Sequence, residues 1–284
     1  MFEHDNFRIN KLQLDNGCNV AYIDEGSGKE TLLFIHGLAT YANSWRMNID
    51  DLKQHHRCIA IDLPGNGYSD KGDYPYGIGF FAESVYEFIQ KLKLDKIIVI
   101  GHSMGGQVSI KLITDHPDVC KKLILCAPAG FETFNGIERA LYEGSVHFFD
   151  FFSTEENSLR KVIKSSFYKY PPMVEEMLQE LVDLMKDQSI SHYRKMIEAC
   201  IKGMLSEEVF DKLSTIQQPT LVLFGERDAL IPNRLIHPIS TKRLAERGAA
   251  EIPNSKLVVI DHCGHFLQIE KAEFANSLMS EFIG

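Results

Sequence analysis

One stretch determines the predicted fold: Ile98-Val-Ile-Gly-His-Ser-Met-Gly-Gly-Gln-Val-Ser109. Its first half ends an apolar, β-branched run, Lys96–Ile100, and its second half opens a segment with helical spacing, Met104–His116. The pattern predicts a buried strand, a sharp turn around Ser103 and a helix that begins directly after the turn. Such a turn leaves almost no room for side chains two positions before and two positions after the serine, and both positions hold glycine.

The same turn predicts a chemical role for Ser103. A serine there adopts a strained backbone conformation, of order 1–3 kcal/mol, that displays its hydroxyl. The N–H of Met104, at the start of the helix, is free to bind a developing negative charge. A phosphate-binding loop is the alternative, but it needs more glycines and a lysine. We therefore predict Ser103 as a nucleophile, with Gly101, His102 and Gly105 as the scaffold around it.

A serine hydroxyl becomes a good nucleophile only when a base takes its proton and a carboxylate orients that base. Two later apolar runs end in suitable residues. Thr220–Phe224 is followed by Gly225-Glu-Arg-Asp228, and Lys256–Ile260 is followed by Asp261-His-Cys-Gly-His265. The chain order is then serine, aspartate, histidine, which is the hydrolase-type order.

Alternatives remain for both partners of the serine. His262 also follows the last apolar run, but His265 is preferred because a glycine precedes it and an amphipathic helix begins at Phe266. Glu226 competes with Asp228, and the Gly-x-x-Asp spacing favours Asp228. Two outside candidates for the acid follow other apolar runs: Glu132 and Asp62.

The loop after the run Thr31–Ile35 is expected to complete the site. It begins with His36-Gly37-Leu38, and a glycine lets the backbone approach a substrate oxygen closely. We assign the N–H groups of Leu38 and Met104 as the two donors to the oxyanion. Two donors are expected because removing one typically lowers the rate about 10²–10³-fold. His36 is expected to buttress this loop through hydrogen bonds without taking part in the chemistry.

The wider pattern predicts the architecture. Phe7–Leu14 and Cys18–Asp24 alternate apolar and polar residues on either side of Asp15-Asn-Gly17, which is typical of a hairpin. Six continuous apolar runs follow, as in strands buried on both faces: Thr31–Ile35, Arg57–Ile61, Lys96–Ile100, Lys122–Cys126, Thr220–Phe224 and Lys256–Ile260. Helical stretches alternate with them: Ile78–Leu92, Met104–His116 and Phe266–Ile283. We expect an α/β fold with a mostly parallel, doubly wound, eight-stranded sheet and an antiparallel edge.

Residues 129–215 interrupt this alternation with helical patterns alone, so we expect a helical cap over the carboxyl edge of a core formed by residues 1–128 and 216–284. Met173, Met177, Leu181 and Met185 recur every four residues in one run. A second run has the same spacing: Tyr193, Ile197, Ile201 and Leu205. The aromatic stretch His147–Phe152, with Met173 and Met177, either walls an apolar acyl site or forms the cap's own core.

Composition excludes several classes of partner. The chain has 284 residues with 30 Lys and Arg against 39 Asp and Glu, so its net charge is −9 and nucleic acid and membrane surfaces are poor partners. Six cysteines without a Cys-x-x-Cys pair, and no signal sequence, indicate reduced thiols and a cytoplasmic location. No metal-ligand motif or Gly-x-Gly-x-x-Gly strand turn occurs, so we expect no metal, no cofactor and a small-molecule substrate.

Taken together, the motifs resemble the α/β-hydrolase superfamily over residues 31–128 and 219–283. The matching motifs are His36-Gly37, Asp62-x-Pro-Gly65-x-Gly67-x-Ser69, Gly101-His-Ser103-Met-Gly105-Gly106, Gly225-x-x-Asp228 and Gly264-His265. In that superfamily, the insertion after the sixth strand is a helical cap, in agreement with 129–215. A serine at the turn is unlike the epoxide hydrolases and haloalkane dehalogenases of this fold, which use an aspartate.

The resemblance implies a carboxylesterase or lipase-like enzyme that works through an acyl-enzyme. Carbon–carbon hydrolases of meta-cleavage products are the alternative within the superfamily. They usually carry a tryptophan after the catalytic histidine, and Phe266 stands there instead. Some members of the fold are ligand-binding proteins without activity, an interpretation that the intact triad disfavours. The oligomeric state stays open.

Overall fold

A nine-stranded mixed sheet forms the centre of the computed structural model, which describes residues 3–4, 7–148, 156–186 and 190–284. The strands are β1 (Glu3–His4), β2 (Phe7–Gln13), β3 (Asn19–Glu25), β4 (Thr31–Ile35), β5 (Arg57–Ile61), β6 (Ile97–His102), β7 (Cys120–Cys126), β8 (Thr220–Gly225) and β9 (Ser255–Ile260). Their order across the sheet is β1-β2-β3-β5-β4-β6-β7-β8-β9. All eight predicted strands are present, and the two-residue β1 extends the edge.

The sheet changes from antiparallel to parallel as predicted. β2 and β3 form an antiparallel hairpin, and Gly17 in the connecting turn has a φ of 84°. β3 pairs antiparallel with β5, and every pair from β5 to β9 is parallel. The parallel strands therefore end at one edge, where the loops after β4, β6, β8 and β9 meet.

Helices cover the sheet because its central strands are apolar on both faces. β6 and β8 are buried along their whole length. The α-helices are α1 (Arg46–Leu52), α2 (Ile78–Lys91), α3 (Met104–Asp115), α4 (Gly136–Phe148), α5 (Glu156–Ser165), α6 (Val174–Lys186), α7 (Ile190–Ser206), α8 (Thr241–Ala250), α9 (Leu267–Glu270) and α10 (Ala272–Ile283). Short 3₁₀ helices lie at Ala42–Trp45, Pro117–Val119 and Phe210–Thr215. None of the described helices combines the length and hydropathy needed to cross a bilayer.

The C-terminal helix differs from the prediction of one helix over Phe266–Ile283. It is divided into α9 and α10 at Lys271, whose φ of −128° and ψ of 43° are not helical. The break changes the helical phase of the residues that follow. Phe274, which continuous spacing placed on the apolar face, is therefore 50% exposed.

The segment 129–215 is helical in its described residues, with α4 to α7 and no strand among them. In α7, the predicted stripe is buried throughout: Tyr193, Ile197, Ile201 and Leu205. The methionine run is only partly correct, because α6 begins at Val174, after Pro171-Pro172, and Met173 is 55% exposed. The side chains of the stretch His147–Phe152 lie outside the described residues.

The central strands should dominate stability. Leu33 in β4 is fully buried between two parallel neighbours, so Leu33→Ala should lower the free energy of unfolding by about 2–5 kcal/mol. Leu12 in the edge hairpin is only partly buried, and Leu12→Ala should cost about 1 kcal/mol or less. Urea unfolding of both variants measures the difference, and equal losses would contradict a core centred on β4.

Candidate active site

Ser103 occupies the turn between β6 and α3 in a conformation that only glycine adopts easily. Its φ is 54° and its ψ is −120°. A Cβ atom on Gly101 would lie 2.4 Å from the carbonyl oxygen of Gly105, and one on Gly105 would lie 2.3 Å from that of Ile35. Both flanking positions therefore require glycine, and the sharp turn predicted around Ser103 is present.

His265 and Asp228 are hydrogen-bonded at the same edge of the sheet, in the loops after β9 and β8. The Nδ1 of His265 lies 2.8 Å from Oδ2 of Asp228, and both side chains are buried. The other carboxylate oxygen of Asp228 accepts hydrogen bonds from the N–H groups of Leu230, at 2.8 Å, and Ile231, at 3.0 Å. Both oxygens of the Asp228 carboxylate are therefore held by hydrogen bonds, and Nε2 is the ring nitrogen of His265 left for a hydroxyl in the pocket that it shares with Ser103.

The competing candidates lie elsewhere. His262 is exposed, with its ring 5.5 Å from that of Tyr168. Glu226 pairs with its neighbour Arg227 at 3.3 Å. Asp62 is buried, and its carboxylate accepts the N–H groups of Ala42 and Tyr68, both at 2.7 Å. These contacts give Asp62 a structural role in its loop.

The loop after β4 lies directly against the serine. A Cβ on Gly37 would be 3.0 Å from Cβ of Ser103, which is tighter than an ordinary van der Waals contact, so glycine eases the close approach of the loop. Leu38 and Ala39 line the pocket, and Ala39 has a φ of 54°. Within the described residues, the N–H of Leu38 has no hydrogen-bond acceptor. Met104 is the first residue of α3, so its N–H has no helical partner either.

His36 supports this loop through the hydrogen bonds expected of it. Its Nε2 accepts the N–H of Leu63 at 3.0 Å, so Nδ1 carries the proton and donates to the carbonyl of Gly37 at 2.8 Å. The side chain is fully buried, and burial lowers the pKa of His36 to about 4. His36 is therefore a neutral side chain that holds the loop through its two hydrogen bonds.

His102 connects the turn at Ser103 to the loop after β9 that carries His265, called here the histidine loop. Its Nε2 donates to the carbonyl of His265 at 3.1 Å, and its ring lies 5.1 Å from that of Phe266. Burial, with a smaller effect from His265, holds the pKa of His102 well below its ordinary value. Nδ1 has no hydrogen-bond partner among the described residues. His102 is therefore a neutral imidazole next to His265.

Ser103 and His265 line a pocket of about 610 Å³. Most of its wall is apolar. Helices α5 and α7 and the loop after β8 contribute Leu159, Ile163, Ile201, Leu205 and Leu230, and Phe266 contributes from the segment between β9 and α9. A smaller cavity of about 30 Å³ adjoins it, and its wall includes Met177 but not Met173. The two cavities share three residues: Thr40, Ile163 and Phe266.

Sequence reasoning missed the interactions that hold the loop after β8. Glu132, considered above only as an alternative acid, lines the pocket and accepts the Nδ1–H of His237 at 2.6 Å. Both of its oxygens also accept the N–H of Asn233 at 3.0 Å. Burial raises the pKa of Glu132. The position of Glu132 after β7 was visible in the sequence, but partners about 100 residues away leave no local signal.

No group of His, Cys, Asp and Glu side chains within the described ranges has the geometry to hold a metal ion. All six cysteines are buried and unpaired. What the geometry does provide is a displayed hydroxyl, a histidine–aspartate pair and two backbone N–H groups around one pocket. This combination is suited to nucleophilic attack on a carbonyl with stabilisation of the resulting oxyanion.

Comparison with known sequences agrees with the fold. The family described as alpha/beta hydrolase fold matches residues 30–272, and the chain belongs to this family. The fold class predicted from the strand pattern and the motifs is thereby confirmed.

Individual relatives have low sequence identity, but their alignments cover most of the chain. A 2-hydroxy-6-oxononadienedioate/2-hydroxy-6-oxononatrienedioate hydrolase of Pseudomonas putida is 28% identical over 97% of this chain and 95% of its own. A dihydrolipoyllysine-residue acetyltransferase component of the acetoin cleaving system from Cupriavidus necator is 27% identical, over 95% of this chain and 67% of its own. An esterase from Exiguobacterium antarcticum superimposes with a TM-score of 0.81, at 24% identity, over 96% of this chain and 99% of that structure.

The buried histidine of the loop after β4 predicts a pH dependence of stability. His36 has a folded-state pKa of about 4 and an ordinary pKa near 6.5, so its neutral form stabilises the fold above pH 6.5. That contribution is lost as the pH falls from about 6.5 towards 4, by about 2 kcal/mol at pH 5. Urea unfolding at pH 7.5 and pH 5 should therefore show a steeper loss for the wild type than for His36→Asn. Parallel pH dependences of the two proteins would contradict this assignment.

Proposed function

We propose that the protein is a serine hydrolase that cleaves carboxylic esters through an acyl-enzyme intermediate. The observation that carries the proposal is that Ser103, in its strained turn, lines the same largely apolar pocket as His265, which is hydrogen-bonded to the buried Asp228. A pocket of about 610 Å³ is within the range of small-molecule sites and is large enough for an acyl chain together with a small alcohol. The apolar wall favours neutral acyl groups.

In the proposed reaction, Nε2 of His265 takes the proton of Ser103 as Oγ attacks the ester carbonyl. Asp228 holds the imidazole through Nδ1 and stabilises the cation that forms. The N–H groups of Leu38 and Met104 bind the oxyanion. The imidazolium then gives its proton to the leaving alcohol, and water, activated by the same histidine, releases the acid.

We also propose that residues 129–215 act as a cap over a core of residues 1–128 and 216–284. Helices α5 and α7 supply much of the apolar pocket wall, whereas the core supplies Ser103, Asp228 and His265. This division gives the two parts different tasks. The core carries the chemistry, and the cap selects the acyl group by shape.

A second candidate is hydrolysis of a carbon–carbon bond. It is favoured by the Pseudomonas putida relative, which is named as a hydrolase of a 2-hydroxy-6-oxo dienedioate and aligns with nearly the whole chain. Phe266 follows the histidine, is 6% exposed and lines the pocket. An apolar side chain there leaves the ester reaction unhindered but brings no hydrogen-bond donor to an ionised dienol.

The esterase proposal predicts complete dependence on Ser103. Wild type should hydrolyse p-nitrophenyl esters with saturation, and Ser103→Ala should lower kcat by at least about 10³-fold. A matched control is Ser206→Ala, at the exposed end of α7, where the hydroxyl donates only to the Lys202 carbonyl. It should keep full activity. Rates for acetate to palmitate esters, measured with a chelator present, report the chain length that the pocket accepts.

The two candidate reactions are separated by the substrate. The same two variants are assayed on a 2-hydroxy-6-oxo-dienoate, whose cleavage is followed by loss of the dienol absorbance. Ser103-dependent turnover of esters alone supports the esterase. Turnover of the dienoate alone, with no Ser103-dependent cleavage of any ester, would overturn it in favour of carbon–carbon hydrolysis.

A further inference from the structure

The segment 166–169, directly after α5, is bonded to the loop that carries His265. The backbone N–H of His265 donates to the carbonyl of Ser166 at 2.8 Å. A Cβ on Gly264 would lie 2.4 Å from that same carbonyl oxygen, so the two backbones meet with no room for a side chain. The ring of Phe167 stacks on that of Phe266, with centroids 5.0 Å apart and planes at 17°. Contact between the two segments is therefore close and ordered.

The carboxylate of Glu270, at the end of α9, fastens this contact. Its Oε2 accepts the N–H of Gly264 at 2.8 Å and that of Tyr168 at 3.1 Å. Its Oε1 accepts the N–H of Lys169 at 2.7 Å. Hydrogen bonds to an ionised acceptor are about twice as strong as neutral ones, and here one side chain collects three of them from two distant segments.

We propose that Glu270 is a positioning residue for His265, acting by clamping segment 166–169 onto the histidine loop. The inference rests on the proposed function, because it assigns His265 as the base. Asp228 fixes the imidazole ring, whereas Ser166 and Glu270 fix the backbone on which the ring is mounted. Without the carboxylate, three N–H groups lose their acceptor, the segment separates from the loop and the ring loses its alignment with Ser103.

The clamp also constrains the proposed cap. Because α5 ends at Ser165, segment 166–169 fixes its C-terminal end to the histidine loop. The same helix lines the pocket with Leu159, Val162 and Ile163. A swing of the whole cap away from the core would break all of these bonds. The C-terminal end of α5 therefore stays in place during turnover. A substrate that displaces α5 also displaces the segment that supports His265.

Glu270→Gln tests the clamp, and Glu207→Gln is its matched control. A glutamine keeps the size of the side chain, but its amide N–H₂ faces a backbone N–H where the carboxylate had a second acceptor. Glu207 has the same kind of contact, accepting the N–H of Ile78 at 3.1 Å and that of Gly79 at 2.7 Å, but it does not line the pocket. Each variant removes one carboxylate that accepts backbone N–H groups, which come from two segments at Glu270 and from the start of α2 at Glu207.

We expect Glu270→Gln to lower kcat about 10- to 100-fold with KM within about twofold, because misplacement of a catalytic group by about 1 Å has an effect of this size. Glu207→Gln should keep kcat within about twofold for a similar loss of Tm. The downfield proton NMR signal of the His265–Asp228 hydrogen bond should shift or broaden in Glu270→Gln and stay unchanged in Glu207→Gln. If Glu270→Gln does not fold, Glu270→Asp, which keeps the charge with a shorter reach, should show the same kcat loss in weaker form.

The proposal is overturned if the Glu270 variant keeps both kcat and the NMR signal, or if both variants lose activity only in proportion to Tm. The NMR comparison needs no substrate. It therefore tests the clamp even if the wild type cleaves no ester, a result that would overturn the proposed function instead.

Discussion

The rest of the structure depends on the steric constraint at the turn between β6 and α3. Ser103 has a positive φ, and neither flanking glycine has space for a Cβ atom. The carbonyl that excludes a side chain from Gly105 belongs to Ile35, the last residue of β4, which is the neighbour of β6 in the sheet. The requirement that displays the hydroxyl therefore also places the loop after β4, with Gly37 and Leu38, beside it.

Parallel strand pairing brings the remaining partners to the same place. β8 and β9 are in register up to Gly225 and Ile260, so the loops that follow them start side by side. Asp228 lies three residues beyond the first of these positions and His265 five beyond the second, and their side chains meet at 2.8 Å. Residues 37 positions apart in the chain become partners because the sheet ends both strands at one edge.

The sequence could predict the features that have a local cause. Strand positions follow from apolar runs, and the site residues follow from where those runs end, so Ser103, Asp228 and His265 could be chosen before the fold was known. The break at Lys271 could not be predicted, because helical spacing specifies which residues share a face only while the helix continues. The contacts of Glu270 with Tyr168 and Lys169 join segments about 100 residues apart, and no local pattern encodes them.

The surroundings of three histidines near Ser103 determine which of them can take its proton in the proposed reaction. Three histidines lie close together there, and two of them, His36 and His102, are buried without a carboxylate partner, so burial keeps each imidazole neutral. His265 alone of the three contacts a carboxylate, that of Asp228. In the proposed reaction the proton leaving Ser103 can be held only by His265, and a charge on that ring in turn disfavours protonation of His102. The neutral histidines thus support the loops around His265 without competing for the proton that it takes in the proposed reaction.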